Sequence, residues 1–209
     1  MKLTMKIVSF AVVAAFAGVA AAQSQSKVSA SNIDQNQSGL LNKQEMDLGN
    51  AKAGGKTNVT VSNVKQNQSG LLNQQKMAIG NATGAGSQSK VTATNIQQNQ
   101  SGLLNKQEMA IGNASGGGKS NVTASNIKQN QSGLLNQQKM ELGNAAGAGS
   151  QSKVTATNIQ QNQSGLLNKQ EMRIGNAAGG GKSNVTASNI KQNQSGLLNQ
   201  QKMNVGNAE

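Results

Sequence analysis

The side chains whose type and spacing can do chemistry in this sequence are amides. The phrase Gln-Asn-Gln-Ser-Gly-Leu-Leu-Asn occurs six times, starting at Gln35, Gln66, Gln98, Gln129, Gln161 and Gln192. A carboxamide both donates and accepts, so amides repeated at a fixed interval can hydrogen-bond in series along a stack. The chain of 209 residues holds 28 Asn and 27 Gln but no His, Cys, Trp, Tyr or Pro. Lacking His and Cys, it has no residues for most transition-metal sites, for most nucleophile–base pairs or for disulfides. Carboxylates are few and no acidic pair recurs at a fixed spacing, so the sequence points to no enzyme, metal or cofactor. Base stacking on aromatic rings is excluded, and so is a core built on large aromatic anchors. Composition alone fits a disordered Gln/Asn-rich tract; the order of the residues points elsewhere.

Residues 1–22 read as an export address. Lys2 and Lys6 precede a largely apolar run of thirteen residues, Ile7 to Val19, and Ala20-Ala21-Ala22 supplies a small-residue cleavage site. The apolar run is shorter than the roughly 20 residues a spanning helix needs. The expectation is cleavage after Ala22, secretion from a bacterial cell, and no membrane insertion afterwards. Phe10 and Phe16 leave with this segment, and the net charge falls from +12 to +10.

The remainder, 23–209, reads as a single repeat domain with repeats 26–56, 57–88, 89–119, 120–151, 152–182 and 183–209. Repeats 1, 3 and 5 resemble one another, as do 2, 4 and 6. In Leu40-Leu41-Asn42-Lys43-Gln44-Glu45-Met46-Asp47-Leu48 the even positions stay nearly constant among repeats, while the odd positions 43, 45 and 47 vary and carry charge. That period of two predicts a strand with one buried face. Earlier in the repeat, Val28, Ala30 and Asn32 share one face, whereas Ile33, Gln35 and Gln37 have the opposite parity, which predicts a bulge at Asn32-Ile33. Ser38-Gly39 reads as a tight turn, and Asn50-Ala51 with the glycines up to Gly55 as a looser return. One such repeat cannot bury its own apolar face, so neighbours must stack. The predicted fold is therefore all-β: a β-solenoid of six stacked strand-turn-strand coils, one per 31/32-residue repeat, with rungs about 4.8 Å apart.

Stacking turns identical residues into columns. The candidate ladder residues are Gln37, Gln68, Gln100, Gln131, Gln163 and Gln194 in one column and Asn42, Asn73, Asn105, Asn136, Asn168 and Asn199 in another. Gln35 and Gln44 have the same inward parity, Gly39 and Gly70 sit at the turn, and Met46 heads a column of six methionines read as core filler. Singly buried amides would be costly, but on every rung they satisfy one another. Leu41 and its equivalents have the outward parity.

The variable positions carry a further signal. The column of Glu45 continues as Lys76, Glu108, Lys139, Glu171 and Lys202, alternating in sign, and that of Lys43 alternates between Lys and Gln. Like charges opposite one another across strands destabilise and unlike charges help, so the alternation fits in-register stacking. No capping repeat is evident, and open strand edges pair with other chains. Placing the last coil on the first coil of another molecule would set Lys202 against Glu45, Gln200 against Lys43 and Lys191 against Asp34. The expectation is head-to-tail polymerisation into a fibre.

The repeats resemble those of curlin subunits of bacterial curli fibres, which carry Ser-x5-Gln-x-Gly-x2-Asn-x-Ala-x3-Gln. Ser31, Gln37, Gly39 and Asn42 match at that spacing, as do Ser62, Gln68, Gly70 and Asn73, with Thr94 and Thr157 replacing the serine in repeats 3 and 5. Gln44 stands where the family has Ala, and Leu48 where it has Gln. The resemblance implies a secreted functional amyloid of the biofilm matrix or cell surface, with itself as principal partner and with proteins that export and nucleate it. The charge of the mature chain suggests anionic polysaccharide or extracellular DNA as further partners. The alternative is a soluble surface-binding solenoid such as an ice-binding protein, suggested by Thr92-Ala93-Thr94 and Thr155-Ala156-Thr157.

Overall fold

In the computed structural model the described residues are 25–206, excepting 53, 54, 85 and 117. The proposed leader at 1–22 lies outside them. Six coils stack in parallel, each carrying its neighbours' sequence in register. β1 (Gln25–Leu48), β2 (Lys56–Ile79) and β3 (Gln88–Ile111) run through the first three coils. In the last three, the turn divides the path into β5 (Lys119–Ser132) and β6 (Leu135–Leu142), β8 (Gln151–Ser164) and β9 (Leu167–Ile174), and β10 (Lys182–Ser195) and β11 (Leu198–Val205). Each coil thus has a long arm, equivalent to 25–38, and a short arm, equivalent to 41–48. The register is one repeat per coil: Val28 pairs with Val59, Val59 with Val91, and Gln129 with Gln161. Among the described residues the protein is the predicted β-solenoid.

The arms close on each other because alternation gives each one apolar face. Val59, Val61 and Val64 from the long arm meet Met77 and Ile79 from the short arm, all essentially inaccessible, and the same set recurs along the axis. A methionine column needs no aromatic partner, since an unbranched side chain fills the irregular gap between β-branched neighbours.

The predicted bulge is present, and it corrects one assignment. Asn32 and its five equivalents adopt left-handed backbone with φ between 53° and 57°. The ladder skips them, running Ser31–Ser62 and then Ile33–Val64. That extra residue resets the parity, so Val28 and Ile33 both point inward. Asn32 does not share the buried face with Val28 and Ala30; it is exposed. Asn tolerates this conformation better than most residues, which accounts for its presence on all six rungs.

The return is more ordered than a loose turn. Ala51 pairs with Ala82, while β4 (Ala114–Ser115) pairs with β7 (Ala145–Ala146), and Ala51, Ala82, Ala114 and Ala145 are buried. Gly49 starts this strip with φ +91°, and a Cβ there would lie 2.2 Å from Val59 Cγ2 of the next coil. Glycine is required because that valine packs directly on its Cα.

Candidate functional site

The amides form the ladders expected of them. In the column of Gln35 each Nε2 donates to Oε1 of the preceding coil, at 2.7 Å for Gln66 to Gln35 and 2.8 Å for Gln98 to Gln66, Gln129 to Gln98 and Gln161 to Gln129. The Gln37 column does the same through Gln68, Gln100, Gln131, Gln163 and Gln194, at 2.8 to 3.1 Å. So does the Gln44 column through Gln75 and Gln107, both at 2.9 Å. Several amides also cross the core: Gln98 Nε2 reaches the carbonyl of Glu108, and Gln107 Nε2 that of Asn130. These bonds fasten the long arm to the short arm as well as coil to coil.

The Asn42 column runs the other way. Asn42 Nδ2 donates forward to Asn73 Oδ1 at 2.9 Å, Asn73 to Asn105 at 3.0 Å, Asn105 to Asn136 at 3.0 Å, and Asn136 to Asn168 and Asn168 to Asn199 at 2.9 Å. The same nitrogen also binds the turn carbonyl of its own coil, Gly39 O at 3.0 Å, and that of the next, Ser69 O at 2.7 Å. One amide therefore ties the turn to itself and to its neighbour. Gly39 and Gly70 permit this contact. A Cβ on Gly70 would lie 1.6 Å from Gly39 O, so only glycine lets successive turns stack at rung spacing.

Every ladder is polarised, and this sets what the two ends offer. The first coil presents the Nε2 donors of Gln35, Gln37 and Gln44 and the Oδ1 acceptor of Asn42, none of them engaged along its column on that side among the described residues. The last coil presents the opposite set. Gln192, Gln194 and Gln201 have donated backwards, leaving Oε1 open, and Gln194 Oε1 is buried without a partner. Asn199 Nδ2 keeps only its own turn carbonyl, Gly196 O at 3.1 Å. Apolar surface is open there too: Met203 is 40% exposed, whereas Met172 one coil earlier is 0% exposed.

The charged columns stack as expected, with Glu45 beside Lys76, Lys76 beside Glu108, and Lys202 beside Glu171. The ion pairs follow a different rule. Among the described residues the only cross-rung pair in this column is Lys76 Nζ to Glu45 at 3.3 Å. Elsewhere the carboxylate is held two residues along the same strand: Lys106 to Glu108 at 3.0 Å and Arg173 to Glu171 at 2.5 Å. Lys139 turns to Glu141 at 2.9 Å, and Arg173 also reaches Glu141 at 3.6 Å across the rung. The column at position 47, with Glu141 and Arg173, competes for partners that the alternation at 45 seemed to reserve. Reversing Lys76 to Glu is expected to cost only about 1 kcal/mol, because the pair is half exposed. Urea unfolding at low and high salt checks this, and the difference from the parent should shrink at high salt.

Of the proposed junction residues, Asp34, Lys43 and Glu45 lie on the outer faces of the first coil and Lys191, Gln200 and Lys202 on those of the last. Two features differ from the sequence reading: Asn32 and its equivalents form an exposed ladder, and Leu40, which the even positions placed on the buried face, heads a second exposed leucine column at the turn. Leu40 is 67% exposed and Leu41 75% exposed at the tip of the turn. Repetition in the sequence was the available signal for both. No described helix is long and apolar enough to cross a membrane, and no group of acidic side chains among the described residues is placed to hold a metal ion. Comparison with family models, with curated proteins and with solved structures finds no match.

Proposed function

We propose that the protein is a structural subunit that polymerises head to tail into extracellular cross-β fibres, curlin-like in kind, serving a biofilm matrix or surface adhesion. Export through cleavage of residues 1–22, and assistance from export and nucleation proteins, belong to the same proposal. The observation that supports it is the opposite polarity of the two ends. Donors of Gln35, Gln37 and Gln44 would meet acceptors of Gln192, Gln194 and Gln201, while Asn199 Nδ2 would meet Asn42 Oδ1. A head-to-head contact would set donor against donor. A head-to-tail contact restores the bonds of every interior rung and covers Met203.

Gly39 provides the test. Within its own chain a Cβ at Gly39 meets only Asn42 Oδ1, at 3.1 Å. In a head-to-tail junction it would strike the carbonyl of Gly196 in the preceding molecule, as a Cβ on Gly70 strikes Gly39 O. Gly39→Ala carries backbone strain at φ +152° in the first coil, so circular dichroism first confirms the fold; the folded variant should then slow seeded elongation by more than about tenfold, equivalent to about 1.4 kcal/mol. Elongation at the parental rate by a folded Gly39→Ala chain would overturn the head-to-tail junction.

A further inference from the structure

The two outer faces of the solenoid differ in charge. On the short-arm face, cations and carboxylates are interleaved, and every ion pair described above lies there. On the long-arm face the lysines have no such company. Lys27, Lys56, Lys90, Lys119, Lys153 and Lys182 are all exposed and follow one another one per coil. They alternate between two neighbouring outward columns, whose other members are Gln and Asn, so no lysine is stacked on a lysine. Lys65, Lys128 and Lys191 lie beyond the bulge on the same face, where the only carboxylate is Asp34 at the first coil. Between these cations run outward Ser and Thr hydroxyls, from Ser29 and Thr60 onward.

We infer that this long-arm face binds a linear acidic polysaccharide carrying one carboxylate per sugar. The lysines form a staggered row that steps between two columns two residues apart, with one charge per rung and about 4.8 Å of axial rise per charge, comparable to the length of one sugar in an extended chain whose successive carboxylates point to alternate sides. Hydroxyls and amides beside the row suit sugar hydroxyls. Duplex DNA fits less well. Its phosphates wind around a thick cylinder and lie more closely, at one per about 1.7 Å of axis, so a row of lysines along one side of a sheet reaches only part of each turn. The face is complete within one molecule, so the inference does not rest on polymerisation. A head-to-tail junction would continue the row from Lys182 to Lys27 of the next chain.

The test compares two equally charged variants of the mature chain as freshly prepared monomer, with circular dichroism confirming the fold. One carries Lys56, Lys90, Lys119 and Lys153→Gln; the other carries Lys43, Lys106, Lys139 and Lys169→Gln on the short-arm face. Binding is measured to polygalacturonate, to duplex DNA and to uncharged dextran at several salt concentrations. The long-arm variant should lose at least about tenfold in affinity for polygalacturonate and show a flatter salt dependence, while the short-arm variant stays within about threefold of the parent. Equal losses in both variants would reduce the effect to net charge and overturn the site. Tighter binding to DNA than to polygalacturonate, or equal binding to dextran, would overturn the assigned ligand.

Discussion

Gly102→Ala is expected to unfold the middle of the solenoid. A Cβ at this position would lie 1.7 Å from the carbonyl oxygen of Gly70 and 2.7 Å from Asn73 Nδ2. The first atom is backbone in a paired strand and cannot swing aside; the second already holds two turns together. Alanine would also have to adopt φ near +150°, which is strained for any residue with a Cβ. Relief requires the coils to separate, and in a stack where each coil touches only its neighbours, a break at coil 3 uncouples the two halves. The expected loss is about 4 kcal/mol or more, in the range reserved for such named clashes. Urea unfolding of the mature chain measures it. Gly149→Ala is the control: φ is +71° and nothing lies within 4 Å of the added carbon, so only backbone strain of about 1 kcal/mol should appear. Equal losses at the two positions would show that turn stacking does not limit rung spacing.

The second large effect concerns the buried amides. Gln107 is 0% exposed. It donates to Gln75 Oε1 at 2.9 Å and accepts from Gln138 Nε2 at 2.9 Å. Gln107→Leu keeps the volume but leaves Gln75 Oε1 buried without its partner and Gln138 Nε2 with only the carbonyl of Asn162, at 3.3 Å. An orphaned buried acceptor costs about 1–3 kcal/mol, and loss of the bond from Gln107 Nε2 to the Asn130 carbonyl adds to it, so a loss of about 2–4 kcal/mol is expected. Replacing the whole column, Gln44, Gln75, Gln107, Gln138, Gln170 and Gln201, by Leu removes both sides of every amide–amide bond and forfeits only the bonds to the carbonyls of Asn130, Asn162 and Asn193. The total loss should then be far below six times the single loss, because no amide in the column is stranded. Strictly additive losses would mean that the column does not act as a chain of mutually satisfied groups.

These two cases show what the sequence made legible. Period-two alternation identified the buried face at 42–48, since a strand has only two faces and one of them varied, but it also placed Leu40 inward, where the turn instead leaves it exposed. Six copies of one phrase at intervals near 31 residues gave the coil and its register. The inward parity of Gln35, Gln37, Asn42 and Gln44 gave the ladders. Other features depend on geometry that spacing does not encode. Parity alone placed Asn32 inward; a left-handed backbone turned it out. The alternating column at 45 suggested cross-rung pairs, but strand neighbours at 43 and 47 lie as near, and side-chain reach decides between them. Ladder polarity is invisible in sequence, because an amide column can run either way. Here Asn42 is pointed forward by the turn carbonyls of Gly39 and Ser69, while the glutamines point backwards. The segregation of charge between the two outer faces appeared only when both arms were placed around one core.

In the proposed fibre the rungs of one molecule continue into the next. Fibre diffraction combined with mass-per-length measurement on assembled mature chain tests it most directly. The expected result is a meridional reflection near 4.8 Å, an equatorial one near 10 Å, and one chain per about 29 Å of fibril, six rungs of about 4.8 Å each. A chain that remains monomeric at high concentration, or a fibril whose strands run along its axis, would contradict it.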